Sequence, residues 1–285
     1  MLSESRTALA VERAAAEQLA RLAGGSVLRD DHPSYTKTIE DNLIDGVRRE
    51  DFSDDLMDSD AGALRSIGGT PEEMCAVHSS LALAVNTFAP FRRSPSDLLI
   101  PGMGRFACSR FSKKLRTGIG EEAHPLAFYA IGPNDIAAVE VVFGESLRPK
   151  RASFSESMAG AVEELAEGPW LAMHDSLVKS PGRFRLLDAA TLVRQYLGLK
   201  RSLRDEPARK TLLYLFWEPR NWRRVEEYSQ HRFETVSFCI GVAGGDIRFE
   251  AMSFDELWSH WERESTWPEA RSHAASLRAR YDFEI

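Results

Sequence analysis

A chain of 285 residues, 43% hydrophobic and 28% charged, carries enough apolar material for one large domain with a sizeable core. It has no apolar run near the roughly 18 residues needed to cross a bilayer, and its first residues lack the basic-then-apolar order of a signal peptide, so a cytoplasmic protein with no membrane partner is expected. With 36 Lys and Arg against 43 Asp and Glu, the net charge is −7; no overall field draws the chain onto nucleic acid, and any DNA contact must use a local basic patch.

In chain order, residues 3–22 place Leu, Val and Ala at helical spacing and end at Gly24-Gly25, which predicts an amphipathic helix; residues 1–30 read as an N-terminal arm and 31–285 as the main domain. Residues 35–47, with Ile39, Leu43, Ile44 and Val47 as an apolar stripe, predict a second helix. The acidic stretch 51–60 fits either a polar helix or a solvated loop. After the Gly68-Gly69-Thr70-Pro71 break, residues 72–86 predict a third, largely buried helix.

The period then changes. Residues 105–111, 126–131 and 136–143 read as strands, the last two joined by a Gly132-Pro133-Asn134-Asp135 turn. Helical spacing returns at 155–167 and 187–197, the latter with Asp188 as a cap. Residues 210–217 form an apolar strand, 233–241 a helix and 247–252 a last strand. Ser253-Phe254-Asp255-Glu256 reads as a capping box opening a helix with Trp258 and Trp261. Helices before a sheet and strands interleaved with helices after it predict an α/β domain with a mixed sheet.

Cys75, Cys108 and Cys239 are far apart and lack CxxC spacing, so buried apolar thiols are expected rather than a disulfide or zinc site. The histidines show no HExxH pattern, and His78 in an apolar stretch reads as a core residue. Two basic clusters stand out: Arg105, Arg110, Lys113, Lys114 and Arg116, and Lys200, Arg201, Arg204, Arg209 and Lys210. Either is a candidate for phosphate contact or simply a solvated face.

The run from Ala138 to Lys150, AVEVVFGESLRPK, resembles the second catalytic strand of the PD-(D/E)XK restriction-endonuclease-like superfamily, in its bacterial restriction-endonuclease branch. Further resemblance lies in residues 39–47 (IEDNLIDGV), 77–91 (VHSSLALAVNTFAPF), Leu115-Arg116-Thr117-Gly118, Leu187-Asp188-Ala189-Ala190 and 212–219 (LLYLFWEP), so that it spans about residues 35–281. It implies a restriction-endonuclease-like core and, in an active member, Mg²⁺ held by carboxylates from two adjacent strands and a helix, with a lysine beside them.

Carried over residue by residue, the resemblance puts the helical acid at Glu40 and the strand Glu at Glu140. The first-strand aspartate falls on Ala127 and the lysine of the Glu-Ser-Lys triplet on Val142, neither of which can bind a metal or donate a proton. The motif therefore reads as degenerate. Glu40, Glu140 and Asp135 remain the candidate metal ligands, Glu40 and Glu140 the candidate catalytic acids, and Lys113, Lys114 and Arg116 the candidate nucleic-acid contacts. Glu121, Glu122 and Lys150 are further groups near the strand ends. Glu140 is expected to face away from Val139 and Val141, with Arg116 or a lysine as its counter-charge.

Three readings follow: a nuclease-fold protein without catalysis, acting as a nucleic-acid-binding or protein-interaction component of a restriction or anti-phage system; an active Mg²⁺-dependent endonuclease with displaced ligands; and a regulatory subunit for a protein partner.

Overall fold

A computed structural model describes residues 6–23, 27–59, 63–115 and 125–285. Its centre is a five-stranded mixed sheet in the order β1 (Cys108–Lys113), β2 (Leu126–Ile131), β3 (Asp135–Val142), β4 (Arg209–Phe216), β5 (Arg248–Ser253). The first three strands are antiparallel, and β4 and β5 run parallel to β3. The parallel connections cross through helices, as the geometry of parallel strands requires.

Two cores cover the sheet. On one face, α1 (Arg6–Ala23), α3 (Ser80–Phe88), α8 (Phe254–Glu264) and α9 (Ala270–Tyr281) pack on Phe128, Val139, Val141, Leu213 and Leu215. On the other, α4 (Met158–Leu165), α5 (Gly168–Lys179), α6 (Ala189–Ser202) and α7 (Glu226–Gly241) cover Tyr129, Ile136, Ala138, Leu212 and Tyr214. Burial on both faces explains why β4 reads as an unbroken apolar run. The α1 helix is tied to α9 by Gln18, which donates to the Ala279 carbonyl, and by buried Arg280, which donates to the carbonyl of Ala15.

The predicted helix at 35–47 does not form. Tyr35 and Thr36 bridge to Ala76 and Leu28, Asn42 donates to the carbonyls of Met74 and Ala76, and the Ile44 amide donates to Asn86. Tertiary partners have taken the backbone groups that a helix would pair internally, leaving only a 3-10 turn at Glu40–Asn42. Ile39, Ile44 and Val47 are nonetheless buried. The predicted helix at 72–86 is likewise broken: residues 76 and 77 are extended against 34 and 35, and Ser79 caps α3 by accepting from the Ala82 amide. The acidic stretch forms a short polar helix, α2 (Ser53–Ser59).

Asp188 does cap α6, accepting from the Thr191 amide, and the Ser253–Glu256 capping box opens α8. Helix α7 starts seven residues before its predicted position, while α5 and α9 carried no strong apolar period and were not foreseen. Cys75 is buried as expected, whereas Cys108 is exposed. No helix among the described residues is long and apolar enough to cross a membrane.

Candidate functional site

The C-terminal half of β3 opens onto a cavity of about 320 Å³. One step beyond the Phe128–Val139 pair, Ala127 of β2 stands across from Glu140, and Tyr214 of β4 pairs with Glu140 on its other side. Alternation along β3 puts Glu140 and Val142 on the face opposite Val139 and Val141, as the sequence predicted. Ala127, Glu140, Val142 and Tyr214 all line the cavity, as do Ser80, Ser112, Glu145, Lys150 and Asp188. Ser112, at φ 47°, is the one described non-glycine residue with a positive φ. Such a conformation persists only where the surroundings enforce it, and it tends to gather at functional sites.

Glu140 accepts a 2.6 Å hydrogen bond from Nε2 of Gln195, a fully buried residue of α6. Loss of solvation drives the Glu140 pKa up to about 8; the Gln195 bond opposes this, Glu145 and Asp188 add to it, and Lys150 offsets a little. The carboxyl is therefore mostly protonated at neutral pH. The cation acting on it is Lys150, eight residues beyond Val142, which is itself paired with Asp188 at 2.8 Å. Burial works against the Asp188 charge, but Lys150 and the Thr191 amide outweigh it and hold that carboxyl below its ordinary value. Glu145 accepts from Ser80 Oγ and from the amides of Phe143 and Gly144.

A second ring of contacts fixes this wall. Glu234 of α7 accepts from the amides of Arg185, Leu186 and Leu187, immediately before Asp188, and the Lys150 amide donates to the Arg185 carbonyl. Burial opposes the Glu234 charge, yet Gln230 and these amides keep its pKa low. His231 hydrogen-bonds the Tyr214 hydroxyl at 2.8 Å; burial lowers its pKa to about 4, so the ring is neutral.

The other sequence candidates lie elsewhere. Glu40 is exposed and paired with Arg49 at 3.0 Å, and it does not line this cavity. Asp135 opens β3 rather than sitting in the turn, on the opposite face from Glu140 and roughly 17 Å along the strand. There it is buried, bonded to Arg209 at 2.6 Å and to the Gly104 amide at 2.9 Å. Glu40, Glu140 and Asp135 are thus not brought together. Lys113 ends the edge strand β1 and Lys114 is exposed just beyond it; Arg116, Glu121 and Glu122 lie outside the described residues. Much of the second basic cluster is spent internally, on Lys200 with Glu167 and Asp246, Arg201 with Glu164, and Arg209 with Asp135.

A family sequence model described as Restriction Endonuclease associating with ARP matches residues 9–282. The chain belongs to that restriction-endonuclease family. No curated protein and no solved structure is significantly similar to it. Lys150 is among the groups that the sequence places near the strand ends; Asp188, which lines the cavity, and Gln195, which bonds Glu140, are the neighbours that spacing around Glu140 does not single out. The Asp188 cap was visible in the sequence, but nothing local announced that it and Lys150 would meet beside Glu140.

The fold family implies Mg²⁺, and the described residues do not fit it. No group of three or more His, Cys, Asp or Glu side chains among them is placed to hold a metal ion. Ala127 and Val142 offer no oxygen, while Asp188 and Glu145 are engaged with protein donors.

Proposed function

We propose that this chain is a nuclease-fold component of a restriction-type system that binds nucleic acid or a protein partner without catalysing metal-dependent cleavage. The observation that carries the reading is the wall around Glu140: Ala127 stands across the strand from it and Val142 follows on the same face, side chains without oxygen where a hydrolytic centre needs ligands on both strands. The family match supports the restriction-system context. Arg105, Arg110, Lys113 and Lys114, along or beside edge strand β1, are the basic groups we assign to a DNA backbone contact. Binding through them would weaken with salt.

A second reading, an active endonuclease, is favoured by one observation: Lys150 and Asp188 share the Glu140 cavity and could stand for the missing lysine and aspartate. Calorimetry with Mg²⁺ and Mn²⁺ on the wild-type chain and on Glu140→Gln, with plasmid nicking on the same samples, separates the two. Neither metal uptake nor nicking is expected. Metal binding lost in Glu140→Gln, together with nicking abolished by Lys150→Ala, would establish the active nuclease instead.

A further inference from the structure

Helix α7 is fixed on its inner side and unpartnered on its outer side. Tyr228, His231, Glu234, Thr235 and Phe238 point inward and are buried, with Glu234 and His231 bonded as described. Outward stand Phe233, Val236 and Ile240, exposed by 68%, 58% and 72%. They follow one another at spacings of three and four residues, which is one face of a helix. Every exposed residue of α7 from Ser229 to Ile240 is uncharged, on a chain where 28% of residues carry charge. Isolated exposed apolar side chains need no explanation, but three large ones in a row on a rigid helix mark a contact surface.

We propose that this face pairs with the same face of a second copy of the chain, α7 against α7 in antiparallel orientation about a two-fold axis near Val236. The stripe maps onto itself when reversed. Phe233 lies three residues before Val236 and Ile240 four after it, so the axis sets Phe233 of each copy against Ile240 of the other and Val236 against its equivalent. Charge favours the same occupant. An uncharged face meets its own copy without like-charge contacts, whereas a phosphate backbone or a charged peptide finds no counter-charge there. Arg232, half-exposed beside the stripe, is spent on Glu218, and Glu226, the next charge on this side of the helix, is roughly 15 Å from Val236 and clears the crossing. Because the inner side of α7 is already anchored, little ordering is lost on pairing.

A single helix crossing is small, so the dimer is reversible and concentration-dependent. Two copies of net charge −7 repel at long range, and salt screens that repulsion while leaving an apolar contact intact; association therefore strengthens with salt. Sedimentation velocity over a concentration series, at low and high salt, tests this on the full chain. The expected result is a monomer–dimer equilibrium favoured by salt and weakened at least tenfold by Phe233→Asp or Ile240→Asp. Circular dichroism matching the wild type confirms that these exposed substitutions leave the fold intact. In a background with Cys108→Ser and Cys239→Ser, Val236→Cys is expected to form a disulfide with its own equivalent under mild oxidation. A monomer at every concentration, a dimer indifferent to both substitutions, or one dissolved by salt would overturn the proposal.

Discussion

Asp135 and Glu140 are carboxylates five residues apart on one strand, and they have opposite fates. Asp135 is buried with a guanidinium and a backbone amide in reach, so its charge is matched twice over. Glu140 is half-buried in the cavity wall; among the described residues its hydrogen-bond donor is a neutral amide, and lost solvation and acidic neighbours make ionisation harder. Burial alone therefore does not decide whether a carboxylate is a structural joint or a poised site. The partners supplied by the next element do, and here they are Arg209 of β4 for one and Gln195 of α6 for the other.

The comparison can be broken by removing the joint. Asp135→Ala strands the Arg209 guanidinium and leaves the Gly104 amide unpaired, and because Arg209 is half exposed the cost should be about 2–3 kcal/mol rather than that of a fully buried pair. Urea unfolding measures it; a loss below about 0.5 kcal/mol would show that the pair is ornamental.

It can be sharpened at the other end by pH. With a folded pKa of about 8 against an ordinary 4.5, the Glu140 contribution is fully present below pH 4.5 and is lost as pH rises through 8. Glu140→Gln keeps the shape and removes the titration. Because the carboxyl is only half-buried, water screens part of the roughly 4 kcal/mol that the full shift implies. At pH 8 the variant should be more stable than wild type by about 2 kcal/mol, and at pH 5 by less than about 1 kcal/mol. His231 runs the other way: its folded pKa of about 4 gives stability that is present above pH 6.5 and lost as pH falls through 4, in both proteins alike. Parallel melting curves for wild type and Glu140→Gln across pH 5 to 8 would contradict the raised Glu140 pKa.

The smallest effect is expected from Lys150→Met. The Lys150–Asp188 pair is partly exposed, so its loss should cost less than about 1 kcal/mol. The same substitution should raise the Glu140 pKa slightly, because Lys150 offsets the acids around it. Carboxyl titration by NMR reads that shift, and an unchanged pKa would place Lys150 outside the electrostatic reach of Glu140.

The sequence by itself determined the class of fold. The alternating and unbroken apolar runs of β2, β3 and β4 specified strands because side-chain direction repeats every two residues, and the caps at Asp188 and Ser253 specified helix starts because they satisfy orphan amides locally. It also placed Glu140 and Val142 on one face, and Ala127 proved to stand across the strand from Glu140. Only the tertiary structure decided the rest. Residues 35–47 have a helical apolar pattern but give their backbone groups to residues 74–76 and Asn86, partners that no local window contains. Lys150, Asp188 and Gln195 converge on Glu140 from segments 10 to 55 residues away, held in part by Glu234 on yet another helix. Periodicity is a property of neighbours along the chain, whereas the charge state of a buried acid depends on groups that only packing brings near.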